Sequence, residues 1–113
     1  MGGCLKVLVN GAAGFIGSRL CNTLLSSGFE VVPTVRGLPT GDEIAVGDIG
    51  PDTDWRGALV TQPEVVVHLA ARVHMVADKE LDSSEFYRAV NVEGALNCAR
   101  QAAASGVRRF VLL

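Results

Sequence analysis

The chain has 113 residues, ten basic and twelve acidic side chains, and a formal net charge of −2. This length is enough for one domain with a hydrophobic core, and the charge balance gives no general reason to expect nucleic acid as a partner. No apolar run approaches the roughly 18 residues that a membrane span needs, and the first residues lack the basic and apolar regions of a secretory signal. Apolar residues make up 49% of the chain, which favours an α/β domain whose strands are buried on both faces.

Three cysteines are present, and no two of them have the spacing of a metal site or a redox pair: Cys4, Cys21 and Cys98. We expect them to be small apolar side chains in a reducing cytoplasm, and we expect no metal site.

The first stretch with chemical information predicts a strand, a glycine-rich turn and a helix in succession. Residues 5–9 are mostly apolar and β-branched, as in a short buried strand. Three glycines follow, and the apolar residues then take helical spacing, with an inward face that we predict to hold Ile16, Leu20 and Leu24.

Each glycine has a physical reason to be in a turn that binds a dinucleotide. Gly11 can take the positive φ of a sharp turn, and Gly14 lets a diphosphate approach the backbone. Gly17 lets the helix pack closely on the strand. The free N–H groups around Phe15 and Ile16 would then point at the anion, where the helix dipole favours negative charge.

The spacing G-x-x-G-x-x-G differs from the G-x-G-x-x-G of the larger dehydrogenases. It is similar to the motif of the short-chain dehydrogenase/reductase superfamily, and the run Gly14-Phe15-Ile16-Gly17 resembles its extended branch. That branch contains the nucleotide-sugar epimerases and dehydratases, so the resemblance implies a Rossmann-type domain that binds NAD or NADP.

Residues 29–35 predict a second strand that bends or lies near an edge at Pro33, which cannot donate to a ladder. The acidic residue that bonds the adenosine ribose of NAD usually ends this strand, but here the position is Val35 and Arg36 follows. A guanidinium can pair with a 2′-phosphate, so Arg36 favours NADP slightly over NAD. Alternatively, Arg36 is a solvated charge, or stacks on adenine and tolerates either cofactor.

A third strand is predicted at residues 44–47, and Asp48 and Ile49 follow it. In the extended branch such a run resembles the adenine site, in which the carboxylate accepts from the adenine amino group and the aliphatic residue packs on the ring. The alternative for Asp48 is a turn or cap residue that bonds a nearby backbone N–H.

Residues 52–61 predict a helix that starts near Asp54. Trp55, Leu59 and Val60 would face inward. We expect Trp55 to be a core residue rather than a ligand platform.

Residues 64–71 are the clearest strand, nearly continuous and apolar. The run His68-Leu69-Ala70-Ala71 resembles the end of the fourth strand of the extended branch, where small residues let the ribose and diphosphate lie against the backbone. We expect His68 to sit within the strand, bonded to backbone or water, and His74 to be a solvated loop residue.

A long helix is predicted over residues 84–105, capped by Ser83 or Ser84 and ended at Gly106. The run Asn91-Val92-Glu93-Gly94 resembles the Asn-Val-x-Gly of the branch, which implies that Asn91 supports the active site; alternatively, it lies on a wet face. In the related family this helix forms half of a four-helix dimer interface, so a homodimer is expected.

Residues 107–113 predict a fifth strand. The predicted fold is therefore an α/β Rossmann-type domain over residues 1–113, with a five-stranded parallel sheet in the order 3-2-1-4-5, helices on both faces, and truncation after strand 5.

The resemblance implies a Ser or Thr and then Tyr-x-x-x-Lys after the fifth strand, which would carry the acid/base chemistry. No such run occurs here, because Tyr87 has no lysine four residues later. We therefore expect a cofactor-binding fragment, with no catalytic residue of its own, of an enzyme that transfers hydride transiently from a nucleotide sugar to NAD(P). Two alternatives stay open: an NADPH-dependent carbonyl or flavonoid-type reductase, which the Thr34-Val35-Arg36 strand end resembles, and a non-catalytic NAD(P) sensor.

Overall fold

The computed structural model of the chain describes residues 5–69 and 89–113. Within them the five strands are β1 Lys6–Asn10, β2 Glu30–Val35, β3 Ile44–Ala45, β4 Val65–His68 and β5 Arg109–Leu112. Every pairing is parallel and the order is β3-β2-β1-β4-β5, so the predicted sheet is confirmed. The direction of the strand order changes between β1 and β4, which is where open α/β sheets bind ligands.

The edge of the sheet explains the proline in β2. In the described part, β3 pairs with Thr34 and Val35 only, while Pro33 pairs with Val9 of β1. Pro33 therefore lies beyond the reach of the short edge strand, which confirms the predicted position near an edge. β3 is two residues shorter than predicted because the backbone turns at Gly47, whose φ is 75°.

The helices lie at α1 Phe15–Ser26, α2 Arg56–Leu59 and α3 Gly94–Ala104, and a π-helical turn at Ala89–Glu93 leads into α3. The glycines that follow α1 and α3 both take φ of 92°, and the helix end predicted at Gly106 is confirmed. α2 has four residues rather than the ten predicted at 52–61. The reason is that the backbone of residues 50–55 bonds to side chains of α3 instead of forming helical bonds.

Two cores cover the two faces of the sheet, because successive strand side chains point to opposite faces. The core under α2 and α3 contains Leu8, Trp55, Leu59, Val66, Cys98 and Ala102. The core under α1 contains Val7, Val9, Ala12 and Val35, with Leu20 and Leu24 packed against it. Trp55 is 0% exposed, so its predicted core position is confirmed.

Two predicted inward residues are on the surface. Ile16 is 61% exposed and Val60 is 76% exposed, so both predictions were wrong. In α1 the buried residue of the first turn is Gly17, and the inward face runs from it through Leu20 and Leu24. Val60 comes one residue after α2 ends, where the chain has turned away from the core.

No helix in the described part of the chain is long and apolar enough to cross a membrane. Several predictions concern residues outside the described ranges: the roles of Ala70 and Ala71, the positions of His74 and Tyr87, the caps at Ser83 or Ser84, and the environment of Cys4.

Candidate functional site

The glycine turn, residues 11–17, connects β1 to α1 with the predicted geometry. Gly11 has φ of 84°, which confirms its predicted left-handed conformation. A Cβ at Gly17 would overlap the carbonyl oxygen of Gly11 and lie 3.0 Å from Cα of Ala12. Gly17 therefore lets α1 pack closely, although the contact is with the turn rather than with the strand itself.

Gly14 leaves the outer side of the glycine turn open. It is the N-cap of α1 with extended backbone, and its N–H donates to the Gly11 carbonyl at 3.1 Å. A Cβ at Gly14 would meet only that carbonyl oxygen, at 3.5 Å. No side chain caps the helix and its first turn holds no acidic residue, so the N–H groups of that turn are available to an anion.

Two backbone hydrogen bonds join the glycine turn and the end of β1 to the chain at the ends of the neighbouring strands. The Ala12 N–H donates to the Thr34 carbonyl at 3.1 Å, and the Leu69 N–H donates to the Asn10 carbonyl at 3.1 Å. The ends of β1, β2 and β4 are therefore held together at one edge of the sheet. Leu69 is half-buried and packs against the core under α1.

Arg36 and Asp48 lie at the ends of β2 and β3, on the same edge. Their side chains form an exposed ion pair, with Nε of Arg36 3.6 Å from Oδ1 of Asp48. Each side chain thus has the other as an ion-pair partner, while both remain more than half exposed to solvent.

Ile49 and the loop after it are held in place by local hydrogen bonds. The Thr53 hydroxyl donates to the Asp48 carbonyl at 2.9 Å and accepts from the Gly50 N–H at 2.8 Å. Ile49 is half-buried and packs against the core under α2 and α3. Its position is therefore fixed by the core on one side and by the Thr53 turn on the other.

A row of buried polar side chains lies beneath this edge, on the face covered by α3. Asn10 pairs in register with Thr34 on one side and with His68 on the other. Its Nδ2 lies 2.9 Å from Nδ1 of His68 and donates to Sγ of Cys98 at 3.3 Å, while its Oδ1 accepts from the Thr34 hydroxyl at 3.0 Å. The polar row ties together β2, β1, β4 and α3.

Burial fixes the protonation states of the polar row. Because the Asn10 amide donates to Nδ1 of His68, the proton of the neutral ring is assigned to Nε2. Burial lowers the pKa of His68 and raises the pKa of Cys98 to about 11, against the weaker opposing effect of the Asn10 hydrogen bond. His68 lies within its strand as predicted, but its partner is a side-chain amide rather than backbone or water.

The His68 ring also lies among aromatic neighbours. It stacks on Phe110 with centroids 5.9 Å apart and makes an edge contact with Trp55 at 6.4 Å. Nε2 of His68 and Nε1 of Trp55 are buried and have no hydrogen-bond partner in the described structure. Both atoms are donors, so they cannot satisfy each other.

Three side chains of the site were not singled out by the sequence: Asn10, Asn97 and Gln101. Asn10 is a polar residue at the end of a buried strand, a signal that the sequence does contain. The other two are polar residues four apart in α3, both bonded to the loop that follows Ile49. Asn91 lies earlier, in the π-helical turn, a distortion that is frequent at functional sites.

The structure thus brings the glycine turn, Arg36, Asp48, Ile49 and Leu69 to one edge of the sheet, at the ends of β1 to β4. An open helix N-terminus lies in the middle, and a cation and a carboxylate lie at one side. This arrangement can accept a ligand with a central anionic group. Among residues 5–69 and 89–113, no group of three or more His, Cys, Asp or Glu side chains is placed to hold a metal ion.

Comparison with known proteins identifies relatives of this chain. The chain is 40% identical over 112 residues to the UDP-glucose 4-epimerase of Vibrio cholerae, covering 96% of this chain and 34% of that protein. It is 34% identical to a 3 beta-hydroxysteroid dehydrogenase/Delta 5→4-isomerase of Mycobacterium tuberculosis, covering 94% of this chain and 30% of that protein. The chain thus spans about a third of the length of the curated relatives it matches.

A solved structure of a short-chain dehydrogenase/reductase superfamily protein from Agrobacterium tumefaciens with bound NAD matches with a TM-score of 0.74 and 31% identity. The match covers 95% of this chain and 31% of that one. The sequence model of the NAD dependent epimerase/dehydratase family matches residues 7–113, which is nearly the whole chain. The protein therefore belongs to the NAD dependent epimerase/dehydratase family.

Proposed function

We propose that this chain binds the dinucleotide of a nucleotide-sugar epimerase or dehydratase. The observation that carries the proposal is the open glycine turn, where the N-terminus of α1 has neither a capping side chain nor an acidic residue. A diphosphate fits such a site because it can accept from backbone N–H groups that have no intrahelical partner. The Vibrio cholerae relative is named a UDP-glucose 4-epimerase, which supports a nucleotide sugar as the substrate class.

Each residue at the edge of the sheet has a proposed role in holding the dinucleotide. The glycine turn holds the diphosphate, with Phe15 and Ile16 supplying N–H groups of the first helical turn. Leu69, and with it Ala70 and Ala71 outside the described ranges, lies along the ribose and diphosphate. Asp48 and Ile49 receive the adenine, the first as a hydrogen-bond acceptor and the second as an apolar surface.

Arg36 carries the proposed slight preference for NADP. A 2′-phosphate at the end of β2 would accept charge-assisted hydrogen bonds from its guanidinium. The preference is small because Asp48 competes for the same guanidinium at 3.6 Å and repels a phosphate. Both dinucleotides are therefore expected to bind.

The dinucleotide supplies a hydride acceptor, and this chain supplies its binding site. The tyrosine and lysine that would move the substrate proton are not among the 113 residues. Asn91 is proposed to support the active-site centre from the π-helical turn. We therefore expect the 113-residue chain to bind dinucleotide without turning over a substrate.

Calorimetric titration with NAD and NADP, followed by incubation with NAD and UDP-glucose, tests this proposal. We expect saturable binding and no accumulation of reduced cofactor or of UDP-galactose. Absence of binding would refute the cofactor role, and sustained hydride transfer would refute the prediction that the chain is inactive alone. The coding sequence that follows Leu113 tests the parent reaction, since an enzyme requires a Tyr-x-x-x-Lys there.

Two other functions are distinguishable from the proposed one by experiment. The strand end at residues 34–36 resembles that of NADPH-dependent carbonyl reductases, and the Mycobacterium tuberculosis relative is named a hydroxysteroid dehydrogenase. A reductase of this kind would oxidise NADPH in the presence of a carbonyl compound rather than interconvert nucleotide sugars. A non-catalytic sensor would bind the dinucleotide but would have no Tyr-x-x-x-Lys in its coding sequence.

A homodimer through the helix at 84–105 is also proposed. Val92 and Leu96 lie four residues apart on the described part of this helix and are both exposed, so they share a face that a second copy would cover. Sedimentation of the wild type and of Leu96→Glu tests this proposal. If the wild type is a dimer through this face, the variant should sediment with a lower mass.

The free thiols of Cys21 and Cys98 support the predicted cytoplasmic location.

A further inference from the structure

The loop that carries Asp48 and Ile49, residues 48–55, is held by two amide side chains of α3. Nδ2 of Asn97 donates to the Gly50 carbonyl at 3.2 Å and to the Thr53 carbonyl at 2.8 Å. Gln101 donates to the same Thr53 carbonyl at 2.8 Å and accepts from the Trp55 N–H at 2.9 Å. The loop is therefore bonded to one helix at Gly50, Thr53 and Trp55.

The two amides also order each other. Nε2 of Gln101 donates to Oδ1 of Asn97 at 2.8 Å, one helical turn away. This bond uses the remaining acceptor of Asn97 and fixes which end of each amide faces the loop. All the donors and acceptors in this contact are thereby matched, and matched polar networks at half-buried positions are rigid.

A hydroxyl carries the constraint from α3 to Asp48. Thr53 is buried; its carbonyl is held by α3, and its hydroxyl donates to the Asp48 carbonyl at 2.9 Å. On the other side of the loop, a Cβ at Gly94 would lie 3.1 Å from Cγ2 of Ile49. The helix therefore contacts the loop along three successive turns, at positions 94, 97 and 101.

We propose that Asn97 and Gln101 are positioning residues for the adenine half of the dinucleotide, acting through Thr53 on Asp48 and Ile49. The inference rests on the proposed function, because it assigns adenine to that loop. Neither amide contacts the glycine turn. Loss of either should therefore weaken binding of the adenine half and leave binding of an anion at the N-terminus of α1 unchanged.

The test uses Gln101→Leu and Thr53→Val in the 113-residue chain. The first removes the two bonds that Gln101 makes to the loop and leaves those of Asn97, and the second removes only the hydroxyl while keeping the side-chain shape. Arg100→Gln is the matched control, because Arg100 is exposed on the same helix. Titrations with 5′-AMP, NAD and inorganic pyrophosphate report the adenine half, the whole dinucleotide and the glycine turn separately.

We expect both variants to bind 5′-AMP and NAD about three- to tenfold more weakly, as one or two lost hydrogen bonds would produce, with unchanged affinity for pyrophosphate. Trp55 is the single tryptophan of the chain and is the last residue of the held loop, so acrylamide should quench its fluorescence more in Gln101→Leu than in the control.

The outcomes separate this inference from the function on which it rests. Wild-type affinity for 5′-AMP and NAD in both variants would overturn the positioning role while leaving dinucleotide binding intact. An equal loss for pyrophosphate would also overturn it, since that is what a general loosening of the fold produces. Failure of the wild-type chain to bind NAD at all would overturn the proposed function and this inference with it.

Discussion

Nε of Arg36 lies 3.6 Å from Oδ1 of Asp48, so the residue assigned to the 2′-phosphate and the residue assigned to adenine contact each other. Both side chains are more than half exposed, and an exposed ion pair contributes about 0.2 to 1 kcal/mol. The pair is thus weak enough for a bound dinucleotide to rearrange it. Under the proposed assignments, the Asp48 carboxylate and a 2′-phosphate would compete for one guanidinium.

Replacing Arg36 with alanine should reduce the preference for NADPH. The variant loses a charge-assisted hydrogen bond of about 1.5 to 3 kcal/mol, so NADPH binding should weaken by about tenfold or more, with a smaller effect on NADH. The preference is measured as the calorimetric dissociation constant for NADH divided by that for NADPH. Asp48→Asn is the complementary variant and should raise the ratio in favour of NADPH. An unchanged ratio in Arg36→Ala, or tighter NADH than NADPH binding by the wild type, would rule out the proposed preference.

Replacing Gly17 with alanine should destabilise the fold. The new Cβ would overlap the Gly11 carbonyl, and a backbone group cannot rotate away as a flexible side chain can. Overpacking of this kind costs about 1 to 3 kcal/mol, which outweighs the gain of up to about 1 kcal/mol from placing alanine in a helix.

Urea denaturation of Gly17→Ala and of the control Gly57→Ala measures the difference. Gly57 lies in α2, where a Cβ would meet nothing within 4 Å, so the control should be as stable as the wild type or slightly more so. Equal stability of the two variants would contradict the close approach of α1 to the glycine turn.

Replacing Gly94 with alanine should affect ligand binding more than stability. The added Cβ would press on Ile49 at 3.1 Å, but the gain of up to about 1 kcal/mol in helix propensity offsets part of that cost. We expect a melting temperature near that of the wild type and weaker binding of 5′-AMP. A variant that binds 5′-AMP as tightly as the wild type would argue against Ile49 as part of the adenine site.

Lowering the pH should destabilise the folded chain because of His68. Burial lowers its pKa in the folded chain below the ordinary 6.5, so between these two pKa values the unfolded chain binds a proton that the folded chain does not. The contribution of His68 to the free energy of unfolding is therefore fully present above about pH 6.5, and it is lost as the pH falls toward the pKa of the folded state. Protonation at Nδ1 would also place two donors against each other, since Asn10 already donates to that atom.

Denaturant midpoints of the wild type and of His68→Leu, measured from about pH 8 to pH 5, isolate this effect. The wild type should lose stability more steeply than the variant as the pH falls over this range, because only the wild type has His68. The other histidine, His74, is present in both proteins, so its effect cancels in the comparison. Identical pH dependence would show that the His68 ring does not resist protonation in the folded chain.

The strands and the glycine geometry could be predicted because their causes are local, and the order of the strands followed from the Rossmann-type topology that the family resemblance implies. An apolar run, a positive φ that glycine allows and a helical period are readable over a few residues, and the observed φ of Gly11 agrees with them, as the observed order of the strands agrees with that topology. The phase of α1 was misjudged at Ile16. The residue that packs there is Gly17, whose missing side chain gives no hydrophobic signal.

The helix predicted at 52–61 was too long because its backbone has partners distant in the sequence. The Trp55 N–H bonds to Gln101, which is 46 residues away, and no local pattern records that contact. The polar row has a similar origin. Asn10, Thr34 and His68 become neighbours only once the register of β1, β2 and β4 is fixed.

The most direct test of dinucleotide binding at the glycine turn is the affinity of Gly14→Val for NAD. Valine suits the extended backbone at this position, and its Cβ meets only the Gly11 carbonyl at an ordinary 3.5 Å, so the variant should keep the circular dichroism of the wild type, with a melting temperature lowered only by the poorer N-cap preference of valine. Its side chain would occupy the space above the open helix N-terminus. We expect the wild type to bind NAD and the folded variant to bind at least about tenfold more weakly; equal affinity of the two proteins would contradict the account.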